Sequence, residues 1–98
     1  MLKKTYSKAR KSCRVAFELP AAVNAQTACV CGEFNAWDIN SQPMKRRKDG
    51  SFSSIVSLKP GQSYRFRYLL DGTRWENDGA ADAYVPNEFG SDDSVVNV

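Results

Sequence analysis

Tyr64-Arg65-Phe66-Arg67-Tyr68-Leu69-Leu70-Asp71-Gly72-Thr73-Arg74-Trp75 decides how the rest of the chain is read. Tyr64, Phe66, Tyr68 and Leu70 fall on one side of an extended chain, and Arg65, Arg67 and Leu69 on the other, which is the two-residue period of a half-buried β-strand. Asp71-Gly72 is a hairpin-turn signal, so the strand reverses there and leaves in a second strand carrying Trp75. The expected product is a sheet whose inward side is solidly aromatic. Its outer side lifts arginines and a tryptophan toward solvent.

On the N-terminal side, Cys13, Val15, Phe17 and Leu19 alternate with Arg14, Ala16 and Glu18, and Pro20 ends that strand. Thr27 to Cys31 is small or apolar at nearly every position, which reads as a strand covered on both faces and central in its sheet. A turn-rich loop containing Phe34-Asn35-Ala36-Trp37-Asp38 follows Gly32 and runs to Pro43. A short strand at Met44 to Lys48 carries Lys45, Arg46, Arg47 and Lys48, charges that guard a sheet edge against pairing with another chain. Phe52, Ser54, Val56 and Leu58 then alternate with Ser53, Ile55 and Ser57, and Lys59-Pro60-Gly61 turns the chain back into Tyr64. Beyond Trp75 a long loop is expected from Asn77 to about Asp92, followed by a last strand at Ser94 to Val98. About seven strands and no useful amphipathic helix specify an all-β, immunoglobulin-like antiparallel β-sandwich.

A chain of 98 residues makes one domain with a modest core. Residues 1–11 are polar and basic and read as an arm or loosely attached edge strand, leaving residues 12–98 for the sandwich. Within a net charge of +3, Lys3, Lys4, Lys8, Arg10, Lys11 and Arg14 crowd the start, while Glu76, Asp78, Asp82, Glu88, Asp92 and Asp93 fill the end. No aromatics interleave with the basic run, so a solvated tail balanced by acidic loops is preferred to a nucleic-acid-binding arm. No apolar run approaches membrane-spanning length, and no apolar stretch follows the basic start, so the expectation is a cytoplasmic address without membrane contact. Cys13, Cys29 and Cys31 are odd in number and lack Cys-x-x-Cys spacing; small buried thiols are expected, with neither a metal site nor a disulfide.

Histidine is absent, which removes the usual general base near neutral pH and every Ser-His or Cys-His nucleophile pair. Glycine-rich phosphate cradles are absent too. Carboxylates such as Asp71, Asp78 and Asp82 are numerous enough for a glycosidase pair, but a small sandwich offers faces and loop ends in place of opposed walls. The chain is therefore expected to be neither an enzyme nor a cofactor binder. What remains is aromatic and polar. A sugar ring presents a flat array of C–H groups edged by hydroxyls, and its natural receptor is an exposed aromatic face with donors at the rim. Trp37 and Trp75 supply such faces and Arg67 such a donor, unless each indole simply plugs an end of the core.

Gly32-Glu33-Phe34-Asn35-Ala36-Trp37, then Met44, Asp49-Gly50-Ser51-Phe52, Tyr68-Leu69-Leu70-Asp71-Gly72 with Trp75, and finally Phe89-Gly90-Ser91 before Val95-Val96, form an ordered series. That series resembles the family 48 carbohydrate-binding module, the early-set domain of isoamylases and branching enzymes and of the AMP-activated kinase beta subunit. The resemblance runs from about Cys13 to Val98. It implies a non-catalytic β-sandwich that binds α-1,4-linked, glycogen-like glucan, here as a free-standing copy. It also implies Trp37 and Trp75 as stacking platforms, Arg67 as a donor to hydroxyls, Phe89 as an apolar loop contact, and Ser91 and Asp93 as polar contacts. Asp93 stands where the kinase-type domains have asparagine, and Gly79 takes a position that is often proline, which is expected to loosen the following loop. A reading of a different class uses the same tryptophans as anchors for a protein partner, either an enzyme of glycogen metabolism or a second copy of the chain.

Overall fold

The computed structural model describes residues 2–9 and 11–98; Met1 and Arg10, the latter counted above in the basic stretch, lie outside them. Nine strands occur among the described residues: β1 Leu2–Tyr6, β2 Cys13–Leu19, β3 Ala28–Gly32, β4 Lys45–Arg46, β5 Phe52–Leu58, β6 Ser63–Leu70, β7 Arg74–Glu76, β8 Ala83–Pro86 and β9 Asp92–Asn97. Two antiparallel sheets result. One runs β1-β2-β5-β4, and the other runs β3-β6-β9-β8 with β7 also paired to β6. This is an all-β sandwich of the immunoglobulin-like kind. Among the described residues no helix is long and apolar enough to cross a membrane.

The alternation of β2, β5 and β6 records which side of each strand meets the core. Cys13, Val15, Phe17 and Leu19 of one sheet face Phe66, Tyr68 and Leu70 of the other, all buried. Phe17 sits at the centre, with its ring centroid 5.0 Å from Phe66 and 5.5 Å from Phe34 in tilted or edge-on arrangements that aromatic quadrupoles favour. Burial pushes the Tyr68 phenol well above its ordinary range, so it stays neutral and donates to Asp78 at 2.6 Å.

Four expectations change in detail. The described residues form two strands more than the seven anticipated, because β1 pairs along the edge of β2 and because β8 forms inside the stretch expected to be loop. β8 is specified by its ladder with β9, Ala83 opposite Val95 and Val85 opposite Asp93, and only weakly by its own alternation. β3 is covered on both faces as expected, yet it lies at the end of its sheet. Its outer edge is satisfied by the loop that follows, through Val30 N–H to Gln42 O at 3.1 Å and Met44 N–H to Ala28 O at 2.8 Å. The charged strand at Met44 to Lys48 shortens to β4, which does form a sheet edge. Finally, the loop after Gly79 is pinned. Asp78 is buried, accepts the Ala80 N–H at 2.8 Å and receives the Tyr84 hydroxyl on its carbonyl. The three cysteines are free and buried, as anticipated.

Candidate binding groove

The outer face of the β3-β6-β9-β8 sheet carries the candidate site, and strand pleat decides its contents. Arg65, Arg67 and Leu69 project outward from β6; across the ladders Cys31 lies opposite Arg67, Cys29 and Trp75 both lie opposite Leu69, and Val95 lies opposite Arg65. Arg65, Arg67 and Trp75 among them form the groove floor, and Cys29, Cys31 and Leu69 the layer beneath it.

Trp37 is delivered to that floor by a tightly tied loop. β3 ends in Gly32 with extended backbone, a single 3-10 turn spans Glu33–Asn35, and Ala36 and Trp37 both adopt left-handed backbone with φ of 55° and 61°. Two successive non-glycine residues in that region carry strain, about 1–3 kcal/mol each, which persists only where surrounding structure holds it. Asn35 does the holding: its side chain accepts the Gly32 N–H at 3.0 Å and donates to Val30 O at 3.1 Å, while the Trp37 N–H returns to Gly32 O at 2.9 Å. The indole then packs over Cys29, Cys31 and Leu69. The two thiols beneath it are 3.6 Å apart, and burial pushes that of Cys31 up to about 12, so it is a protonated, inert packing group.

Trp75, on β7, is 41 % exposed. The Arg67 guanidinium carbon lies 5.8 Å from the centroid of its ring, a cation–π contact that fixes both side chains. Arg67 Nε is buried and has no hydrogen-bond partner among the described residues. A guanidinium N–H left this way is costly, and because Nε is shielded it is not itself the donor a ligand would meet.

The far wall is the turn joining β8 to β9. Asn87 organises it, its side-chain oxygen accepting the N–H groups of Phe89 at 2.9 Å and Ser91 at 3.2 Å, with Gly90 at φ 81° completing the reversal. Phe89 stands at the tip, 83 % exposed. Asp93, buried at the base, accepts from Asn87 Nδ2 at 3.1 Å and faces the Arg65 guanidinium at 3.8 Å.

Together these elements enclose a groove of about 890 Å³. Trp37, Arg67, Trp75, Phe89 and Asp93, all singled out from sequence, line it; Ser91 does not, its hydroxyl and amide being engaged by Asn87 in the turn behind. Sequence reasoning lifted Arg65 to the rim without assigning it to the site, and missed Glu33, Pro86, Asn87 and Glu88. Arg65 was readable as the next outward position on the strand of Arg67, and Asn87 as a turn-former three residues before Gly90. Glu33 carries no such signal; its carboxylate reaches across the sheet to accept the Arg65 N–H at 2.6 Å. Arginines and carboxylates both line the groove beside the rings of Trp37, Trp75 and Phe89, so its charge is mixed and not uniformly cationic.

Two comparisons bear on this geometry. The sequence model of the family described as the glycogen recognition site of AMP-activated protein kinase matches residues 15–98. In addition, 49 residues are 43% identical to the 1,4-alpha-glucan branching enzyme GlgB of Photobacterium profundum, a stretch that makes up 49% of this chain and 7% of that enzyme.

Proposed function

This chain belongs to the family of the glycogen recognition site of AMP-activated protein kinase, and from that premise we propose that it is a non-catalytic module binding linear α-1,4-linked glucan in the groove on its outer sheet. Trp37 and Trp75 take the C–H faces of successive glucose rings, and Arg67 donates to their hydroxyls. Phe89 folds over the chain from the turn, Asp93 accepts from a hydroxyl at the base, and Ser91 acts through the turn that positions Phe89. The observation that carries this reading is that Trp37, Trp75, Phe89 and Arg67 line one groove, with the Arg67 guanidinium set against the Trp75 ring.

An open site of this kind binds short oligosaccharides at about micromolar to millimolar strength and gains on a polymer by repeated engagement. The experiment is retardation on a native gel containing glycogen, together with tryptophan fluorescence during titration with maltoheptaose. Trp75→Ala serves as the site variant. With 41 % of Trp75 exposed, roughly 80 Å² of an indole-sized surface of about 200 Å² is left for a ligand. Covering it all is worth about 2 kcal/mol, and covering half about 1 kcal/mol. The variant should therefore bind about fivefold to thirtyfold more weakly. Unretarded migration and unchanged fluorescence of the wild-type protein would end the proposal.

A further inference from the structure

A second hollow of about 280 Å³ lies on the same sheet face, beyond Arg65, and its lining includes Ser63, Ala83, Val85 and Val95. Glu33 and Arg65 line both this hollow and the main groove, so the Arg65 position, whose backbone N–H is held by Glu33, stands between them. The floor of the hollow is aliphatic because the β8–β9 and β6–β9 ladders bring Ala83 opposite Val95, and Val95 opposite Arg65, on the outward side. Its rim is polar: Ser63 Oγ donates to Asn97 at 2.6 Å and keeps acceptor capacity. Leu69, Arg67, Arg65 and Ser63 are successive outward positions of β6, so the two concavities form one trough roughly 20 Å long at about 3.3 Å per residue. The Arg65 side chain on the divide is 46% exposed and tied to Asp93 only at 3.8 Å, which leaves most of its N–H groups for a passing ligand.

Resting on the glucan reading above, we propose that the hollow over Val85 and Val95 is an additional subsite for the same α-1,4-glucan chain. The chain runs from the tryptophans across Arg65 toward Ser63. Apolar floor, polar rim and continuity with the main groove suit one further stretch of sugar, its C–H face against the valines and its hydroxyls toward Arg65 and Ser63. The trough thereby selects longer chains over short ones.

The test compares maltotetraose with maltodecaose, on the wild-type protein and on Val85→Lys, whose side chain stands on an edge strand and would fill the hollow. Maltotetraose should bind both proteins within about twofold, whereas maltodecaose should bind the variant about tenfold more weakly, equivalent to about 1.4 kcal/mol. Comparing proteins on one ligand removes the advantage a long chain gains from its many placements. Amide chemical shifts of the wild-type protein provide a readout that does not depend on the variant folding. Ser63, Val85 and Val95 should move with maltodecaose and stay still with maltotetraose, while Trp37, Arg67 and Trp75 move with both. Shifts confined to the tryptophan groove for both sugars, or undiminished maltodecaose binding by a folded Val85→Lys, overturn the subsite and leave the main reading standing. Binding of neither sugar by the wild-type protein overturns both.

Discussion

Gly32→Ala should damage this protein more than any other single methyl addition at a glycine, and the reason is geometric. A Cβ at position 32 would fall on the Arg65 carbonyl oxygen and lie 2.8 Å from Phe34 Cε2 and 2.9 Å from Phe66 Cβ. Gly32 and Phe66 form the last rung of the β3–β6 ladder, so the nearest obstacle is sheet backbone that has no rotamer to change. Overpacking a core costs about 1–3 kcal/mol, and a backbone obstacle puts this site near 3 kcal/mol. For a domain of this size that lowers Tm by roughly 12–24 °C. Gly79→Ala is the control. Among the described residues nothing lies within 4 Å of its Cβ position, and its backbone is not left-handed, so the substitution should leave Tm unchanged or raise it, by up to about 1 kcal/mol of stability. Thermal unfolding followed by circular dichroism measures both. The local consequence reaches the groove: Gly32 O receives the Trp37 N–H, so the substituted protein, held well below its melting temperature, should also show altered tryptophan emission. A Gly32→Ala protein melting within about 3 °C of wild type refutes the packing argument, since about 1 kcal/mol alone would move it further.

Two further predictions concern charge. Arg67→Met removes the unpartnered buried Nε while keeping an unbranched chain against Trp75, so Tm should hold or rise although maltoheptaose affinity drops at least about fivefold; parallel melting and titration decide this, and a large Tm loss would mean that the guanidinium is structural. Asp71 has its carboxyl held below the usual range by the N–H groups of Thr27 and Gln26, at 3.0 and 2.8 Å, and by Arg74. A depressed folded-state pKa contributes stability above the unfolded value of about 4 and loses it as pH falls through the folded value. Asp71→Asn, which tolerates the same left-handed turn position, should therefore flatten the Tm-against-pH curve below about pH 4, and an unchanged slope there would remove Asp71 from the account.

The parts of this fold that were legible are those in which a strand has one wet and one dry side. Cys13–Leu19 and Phe52–Leu58 were readable to the residue because alternate positions meet the other sheet. Where the sides are alike, alternation says nothing. The apolar run that became β3 correctly indicated two covered faces, but composition does not distinguish cover by a neighbouring strand from cover by the Trp37 indole and the loop through Gln42. β8 was hidden for the opposite reason, since Tyr84 is largely exposed and Pro86 ends the strand, leaving the β9 ladder to define it. In the groove, Arg67 and Trp75 followed from pleat alone. Phe89 and Asp93 followed only from resemblance, and Glu33 from neither, because its contact with Arg65 spans 32 positions of sequence.

The two tryptophans bear on a choice that sequence presents as exclusive, between plug and platform. Trp37 packs over Cys29, Cys31 and Leu69 and is mostly covered, so it performs the structural role. The same packing, with the left-handed backbone at Ala36 and Trp37 and the Asn35 bridge, fixes where its remaining face points. Trp75 is more open, and the Arg67 guanidinium limits its freedom. Indoles ordered before any ligand arrives spare the ligand the ordering cost, about 0.5–1.5 kcal/mol for each immobilised side chain. On the glucan-binding proposal, burial of Trp37 keeps the groove lining rigid, and loosening the Asn35 bridge should weaken a ligand's hold even with both rings intact.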